Sequence, residues 1–362
     1  MKNIILTVSL LALAAGAVQA QFDCTTNSGT ITITGYHGME RAITIPASIN
    51  GLPVANIGNR AFYYFGYSQA PGSPAPILSV VLPDGIAGIG NQAFSGCGEL
   101  KSVVIPGSVT QIGDRAFESC GSLTNIIIPF GVTNIGNNAF NNCRQLAAVA
   151  ISDSVIHIGE YAFFCCFSLT KVSIPGNLAS IEEGSFDYCT HLSSIKIPNN
   201  TKNMGNYAFR DCFGLTNVVF GNNITNIGEG AFASCSNLAG ITIPGSVATI
   251  GPQAFLRCSN LKDVTLSENI TKIDTLLFEG CGLSTIVIPE SVTSIGQQSF
   301  ENCTKLTSLY VKGDAPIIGP GLFEGEKNAL TFNGATNATI YYRPEKHGWN
   351  TTLGGRPTVV WK

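Results

Sequence analysis

A repeat solenoid is the fold class this sequence predicts, and three observations predict it. Nine cysteines (Cys97, Cys120, Cys143, Cys166, Cys189, Cys212, Cys235, Cys258 and Cys281) stand 23 residues apart, and Cys303 follows after 22. A phenylalanine lies three positions before each of them, from Phe94 to Phe300. Between these marks the same apolar sites recur, as Leu100, Val103, Ile105, Val109, Ile112 and Ala116 in one copy and Leu123, Ile126, Ile128, Val132, Ile135 and Ala139 in the next. A unit this short cannot bury its apolar side alone, so the copies must stack. The expectation is about twelve 23-residue units. Short parallel β-strands line one face, turns and short 3₁₀ or helical segments line the other, and both ends are capped.

The elements follow in order. Residues 1–20 read as a signal peptide. Lys2 is the positive start, Ile4 to Ala17 is a short apolar run, and Val18-Gln19-Ala20 sets small residues for cleavage after Ala20. The run is too short for a spanning helix, so the expected localisation is secreted, extracellular or at the cell surface. Residues 21–42 lack the repeat, and Thr30-Ile31-Thr32-Ile33-Thr34 gives a period-two strand for an N-terminal cap. The solenoid is expected over 43–333. In each unit a β-branched triplet such as Val103-Val104-Ile105 makes the strand. The proline after it, Pro106, ends the strand because it cannot donate to a ladder. Ile112-Gly113 makes the next bend, where glycine tolerates positive φ or close backbone approach. Ala116-Phe117-x-x-Cys120 then returns the chain, with Phe and Cys on one inner side.

Counted by phenylalanine, the copies run from Phe62 to Phe323. The step from Phe62 to Phe94 is 32 residues, nine more than the repeat, which places a loop insertion at about 63–77. It holds Tyr63, Tyr64, Phe65 and Tyr67, then Pro71, Pro74 and Pro76. Two readings of its aromatics stand: anchors for a partner, or a cover for the first turn of the core. Residues 334–362 read as the C-terminal cap, with Ile340-Tyr341-Tyr342 a closing strand and Trp349 and Trp361 folded over the last unit.

The pattern Leu-x-x-Val-x-Ile-Pro-x-x-Val-x-x-Ile-Gly-x-x-Ala-Phe-x-x-Cys resembles the BspA-type, or Treponema pallidum-type, leucine-rich repeat over about residues 43–323. The resemblance implies a curved leucine-rich-repeat solenoid with a binding role. It also implies an exported or surface-bound protein of a bacterium or protist, in a family where several members resemble adhesins. It carries over no catalytic residue.

Composition narrows the function classes. Only 12% of residues are charged and the net charge is −3. That leaves no basic face for nucleic acid and no polybasic patch for a membrane surface. Ten cysteines share one inward position, where parallel side chains fit disulfide geometry poorly, so they are expected as buried thiols. Cys24 and Cys165 lie off that ladder, about four stack steps apart, and Cys165 is the expected exposed thiol. A row of thiols does not converge on a metal. His37, His157, His191 and His347 have no ligand spacing. Glu182-Glu183, where Glu182 replaces the usual glycine, reads as a turn variant. No nucleophile motif, phosphate loop or dinucleotide fingerprint occurs. The expectation is no enzyme, no metal and no cofactor. Six Asn-x-Thr triplets, from Asn199 to Asn350, fit the glycosylation pattern.

The central residue of each strand triplet should face away from the core. In that row Val81, Val104 and Ile127 predict an exposed aliphatic strip, where contiguous apolar area marks an interaction site. Strand propensity alone also accounts for them. Lys171, Lys196 and Tyr310 mark the sheet face further on, and Tyr63, Tyr64 and Tyr67 the insertion. The expected partner is an extracellular protein or cell-surface ligand, with self-association possible. Polysaccharide binding is the alternative; it favours aromatic platforms, and only Tyr310 lies in the central row as counted.

Overall fold

The computed structural model describes residues 21–64, 76–319 and 331–361. The signal segment, Tyr67 and Phe323 lie outside the described residues. Two compact units follow one another, one ending at Cys166 and one starting at Phe167. Each is a stack of the same coil, with two short parallel strands and a turn segment per coil.

In the N-terminal unit the first strands Ala42–Thr44, Ser79–Val81 and Ser102–Val104 pair in parallel, as do Asn125–Ile128 and Ala148–Ile151. The second strands Gly88–Ile89, Gln111–Ile112, Asn134–Ile135 and His157–Ile158 pair in the same way. At its start this second sheet takes in Leu52–Ile57, then Thr30–Tyr36, then Phe22–Asn27 as an antiparallel edge. Ile31 and Ile33 are buried while Thr34 is exposed, so the period-two segment covers the open end of the core.

The C-terminal unit repeats the pattern. Its second strands run from Ser180–Ile181 to Thr249–Ile250 and from Lys272–Ile273 to Ile317–Ile318. Its first strands close with Thr285–Ile288, Ser308–Val311, Thr339–Tyr342 and Arg356–Val360 in parallel.

Burial of one ring per coil builds the core. Phe62, Phe94, Phe117, Phe140 and Phe163 stack with centroids 4.8–5.3 Å apart. In the C-terminal unit the column runs from Phe186 to Phe332 at 5.4–5.8 Å. These spacings follow strand spacing, because each ring is carried by its own coil. The ring after Phe300 is Phe332, where the sequence count had placed Phe323. The step carries nine extra residues, as does the step from Phe62 to Phe94. In the last coil Ala335 and Ala338 take the positions of Cys303 and Leu306, with the same turn hydrogen bonds. The cysteine mark of the coils from Phe94 to Phe300 is therefore missing there.

The expected 3₁₀ or helical segments are absent among the described residues. The Ala-Phe-x-x-Cys stretch is a run of linked turns, and its amide groups show why. The amides of Ala116, Glu118 and Cys120 donate within the coil, to the carbonyls of Gly113, Arg115 and Phe117. The amides of Arg115, Phe117 and Ser119 donate to Asn137, Ala139 and Asn141 of the next coil at 2.7–2.8 Å. Alternate N–H groups thus point along the stack, whereas a helix would turn them all inward. The alternation needs left-handed backbone, and Arg115 and Ser119 adopt it at φ 54° and 59°.

The Ile-Gly bend is set by close approach. A Cβ on Gly113 would stand 2.5 Å from Asn91 Oδ1 and 2.7 Å from its amide nitrogen. Beside this bend Asn59, Asn91, Asp114 and Asn137 each accept the amide of the next coil through Oδ1 at 2.8–2.9 Å. That ladder satisfies N–H groups which neither short strand can pair.

Candidate functional site

Strand alternation positions the outward row. Val103 and Ile105 are buried on either side of Val104, and Ile126 and Ile128 on either side of Ile127. The middle residues therefore face solvent. Val81 is 43%, Val104 57% and Ile127 68% exposed. Val81 pairs directly with Val104 across the strands, and Ile127 is the equivalent residue of the next coil. A fourth apolar residue, Phe130, lies three residues beyond Ile127 and is 80% exposed. Sequence reading missed it. The signal was available, since the equivalent position is Asp84, Gly107 or Asp153 in neighbouring copies. The flanking Ser102 and Asn125 are exposed and uncharged. The result is an apolar strip across three coils with a neutral polar margin.

Of the insertion's aromatics, Tyr63 and Tyr64 are described, and they lie on the turn segment rather than on the strands that carry the strip. Tyr63 and Tyr64 continue the turn segment after Phe62, and the Tyr64 amide donates to Ser95 O at 3.0 Å. Arg60 lies over the Tyr63 ring at 5.6 Å. Both tyrosines are half-buried and belong to the turn side of the coil.

In the C-terminal unit Lys171 and Lys196 are exposed on first strands. Val219 and Val287 are exposed in the central row, but Thr242 and Thr265 separate them. Tyr310 is half-buried and has company. Tyr341 pairs opposite it, their rings stack at 4.9 Å, and Trp361 packs on Tyr310 at 5.0 Å. The row thus holds two tyrosines; Tyr341 went uncounted because its coil lacks the cysteine mark. Ring faces in this cluster are turned on one another, and Arg343 covers Trp361 at 5.4 Å. That leaves little free aromatic face for a sugar to stack on.

One polar cluster was not foreseen. The Asp187 side chain is fully buried, and Arg210 meets it through two hydrogen bonds, Nε to Oδ1 at 3.1 Å and Nη2 to Oδ2 at 2.6 Å. Arg210 also lies over Tyr207 at 4.7 Å and Tyr188 at 5.8 Å. Burial outweighs the guanidinium and pushes the Asp187 carboxyl up to about 6. The arrangement ties successive turn segments together, and the aspartate and arginine neutralise each other.

The cysteine ladder is a stitch as well as a filler. Cys120, Cys143 and Cys166 each direct Sγ to the carbonyl of a phenylalanine one coil earlier, Phe94, Phe117 and Phe140, at 3.2–3.3 Å. Cys212, Cys235, Cys258, Cys281 and Cys303 do the same at 3.0–3.2 Å. No disulfide joins any of the cysteines among the described residues. Burial pushes Cys97, Cys143, Cys258 and Cys303 up to about 12, so they stay protonated and unreactive at neutral pH. Cys165, the expected exposed thiol, is half-buried, and the exposed thiol is Cys24. Cys24 lies on the edge strand Phe22–Asn27, where side chains meet solvent.

Among the described residues no group of three or more His, Cys, Asp or Glu side chains could hold a metal ion. The histidines serve local contacts: His37 pairs with Asp23 at 2.6 Å, and His191 Nδ1 meets Phe167 O at 2.7 Å.

Short parallel strands, inward Leu, Ile and Phe columns and a repeating turn define a leucine-rich-repeat solenoid. The BspA-type leucine-rich-repeat region model matches residues 73–192, 110–239 and 227–342. Together these spans take in most of the chain, and the chain belongs to that family. Among solved structures it is similar to a leucine rich cell surface protein from Faecalibacterium prausnitzii, at 30% identity and TM-score 0.58, over 89% of this chain and 93% of that one. A leucine-rich repeat protein from Bacteroides ovatus shares the fold at 24% identity and TM-score 0.64, over 94% and 98%. So does the pneumococcal vaccine antigen PcpA, at 17% and 0.57, over 94% and 96%. No curated protein matches the chain.

Proposed function

We propose that this chain is an exported repeat protein that binds another protein through the sheet face of its N-terminal unit. The observation that carries the reading is the apolar row Val81, Val104 and Ile127, exposed over three consecutive coils and extended by Phe130. Strand propensity accounts for β-branched residues in the row, but not for a phenylalanine 80% exposed in the adjoining turn. The row would be the desolvated centre of an interface, and its serine and asparagine margin the polar rim. Export is supported by the signal-like segment 1–20 and by the surface location named for the F. prausnitzii protein. Cleavage after Ala20 is part of the proposal. An adhesion role at the cell surface follows from both. The reading assigns no catalytic residue.

Solid-phase binding of residues 21–362 to a panel of extracellular-matrix proteins and whole cells tests it. Val104→Lys/Ile127→Lys runs alongside, with circular dichroism to show that the fold is kept. Saturable binding lost in the variant is the expected result. Binding that the folded variant retains would sink the assignment of the face. Self-association without other binding would point to a structural role for the same strip.

A further inference from the structure

The second sheet of the N-terminal unit ends in an open strand edge. Phe22–Asn27 pairs antiparallel with Thr30–Tyr36 on one side, and no described strand lies along its other side. Three observations fix which backbone groups point outward. Ser28 and Gly29 turn the hairpin at φ 48° and 79°, so Asn27 and Thr30 form its hydrogen-bonded closing pair. The Gln21 carbonyl accepts the His37 amide at 2.8 Å and is thus turned toward the hairpin. The Ile33 carbonyl, opposite Cys24, accepts the Gly58 amide at 2.7 Å and is turned away from Cys24. Backbone groups alternate along such a pair. Gln21, Thr25 and Asn27 therefore face Thr30–Tyr36, while Phe22, Cys24 and Thr26 present N–H and C=O to the open side. The bulge at Asp23/Cys24 takes its extra residue, Thr34, from the neighbouring strand, so the outward groups stay evenly spaced.

An open edge is a template for a further strand. This one holds no lysine and no proline to block pairing, and five of its six side chains are exposed. It also fits itself. Antiparallel pairing must set outward groups against outward groups. Of the registers that do so, the one with the longest overlap opposes Cys24 to Cys24 of a second copy, Phe22 to Thr26 and Asp23 to Thr25. No like charges stand opposite each other in it. The two Cys24 side chains leave the same face of the joined sheet. Their Cα atoms, in a hydrogen-bonded antiparallel pair, stand about 5.5 Å apart, which is within the span of a disulfide.

We propose that two copies of this chain join end to end through the strand Phe22–Asn27, about a two-fold axis at Cys24, and that a disulfide between the two Cys24 residues locks the pair. The lock rests on the proposed export, which brings the strand to an oxidising exterior. Two thiols give up two protons and two electrons to an external disulfide, which leaves as two thiols, and one Sγ–Sγ bond forms. The interface is an isologous one, and it is separate from the aliphatic strip on the other sheet. Each pair carries that strip twice.

Oxidation of residues 21–362 with glutathione disulfide tests it, and starting from this chain keeps the result independent of signal cleavage. Non-reducing electrophoresis and peptide mass spectrometry should show a covalent dimer joined Cys24 to Cys24, and sedimentation of the reduced protein a reversible dimer. Thr26→Pro removes an outward N–H that the fold does not use, and should slow the cross-linking about tenfold or more. Cys24→Lys sets two like charges against each other at the axis. It should abolish the reversible dimer, and it serves if Thr26→Pro does not fold. Val104→Lys/Ile127→Lys should change neither dimer nor cross-link, so edge and strip stand or fail separately. Reduced protein that stays monomeric up to about 1 mM, cross-linking through another cysteine, or dimers unaffected by the folded edge variants would overturn the proposal.

Discussion

Cysteine is the residue in which sequence pattern and structural role meet most closely. One thiol per coil fills a small inward space and donates to the phenylalanine carbonyl of the coil before, so it couples packing to stack register. Its reactivity is the cost of burial. In native protein a thiol reagent at neutral pH should modify Cys24 rapidly, Cys165 slowly and the ladder thiols only on unfolding; mass spectrometry of labelled peptides reads this directly. Fast labelling of Cys143 or Cys212 would show that the column is open. Asp187 gives a second residue-scale prediction. Its folded pKa is raised, so its contribution to stability is complete below the unfolded value near 4 and is lost as pH rises through about 6. Stability relative to Asp187→Asn should therefore fall between pH 4 and pH 7, by on the order of 2–3 kcal/mol. Denaturant unfolding at both pH values measures it, and a constant difference would refute the assignment. The cysteine ladder was legible because its spacing is a count. The Asp187–Arg210 pair was countable too, since the two hold the same position in successive repeats, but the count did not show that this position is buried at Asp187.

At the scale of the element, the two strands of each coil could be read from β-branched triplets and proline stops. The turn segment could not. Ala-Phe-x-x-Cys suits a helical turn by spacing, but spacing does not say where the amides point. The missed signal was compositional. None of the non-glycine residues at positive φ among the described residues is β-branched, because left-handed backbone crowds the Cβ substituents. Ser119→Val should therefore destabilise the protein by about 1–2 kcal/mol, while Ser119→Gly should be neutral or stabilising. Thermal unfolding of the two variants checks this, and equal effects would mean that the turn is not left-handed there. The last coil was misplaced for a related reason. Its ring column continues at Phe332, but alanines stand where cysteine and leucine mark the other copies, so no count could find it.

Across the whole molecule, inward positions are nearly fixed by the stack and outward ones are free to differ. Function must then be written in the outward rows of the two sheets, each a surface of regularly spaced side chains on a rigid support. The sequence located the strip at Val81, Val104 and Ile127 because strand alternation fixes which residue points out. It did not locate Phe130, although Asp84, Gly107 and Asp153 at the equivalent positions set that phenylalanine apart, because only the strand triplets were read for outward residues.

The most direct test of the sheet-face assignment compares two variants of equal added charge: Val104→Lys/Ile127→Lys on the first sheet and Asn134→Lys/His157→Lys on the second. Both pairs are outward, so both variants should fold. Binding to the protein partner or cells identified by the solid-phase panel should be lost in the first and kept in the second. Equal loss in both, or loss only in the second, would contradict the account.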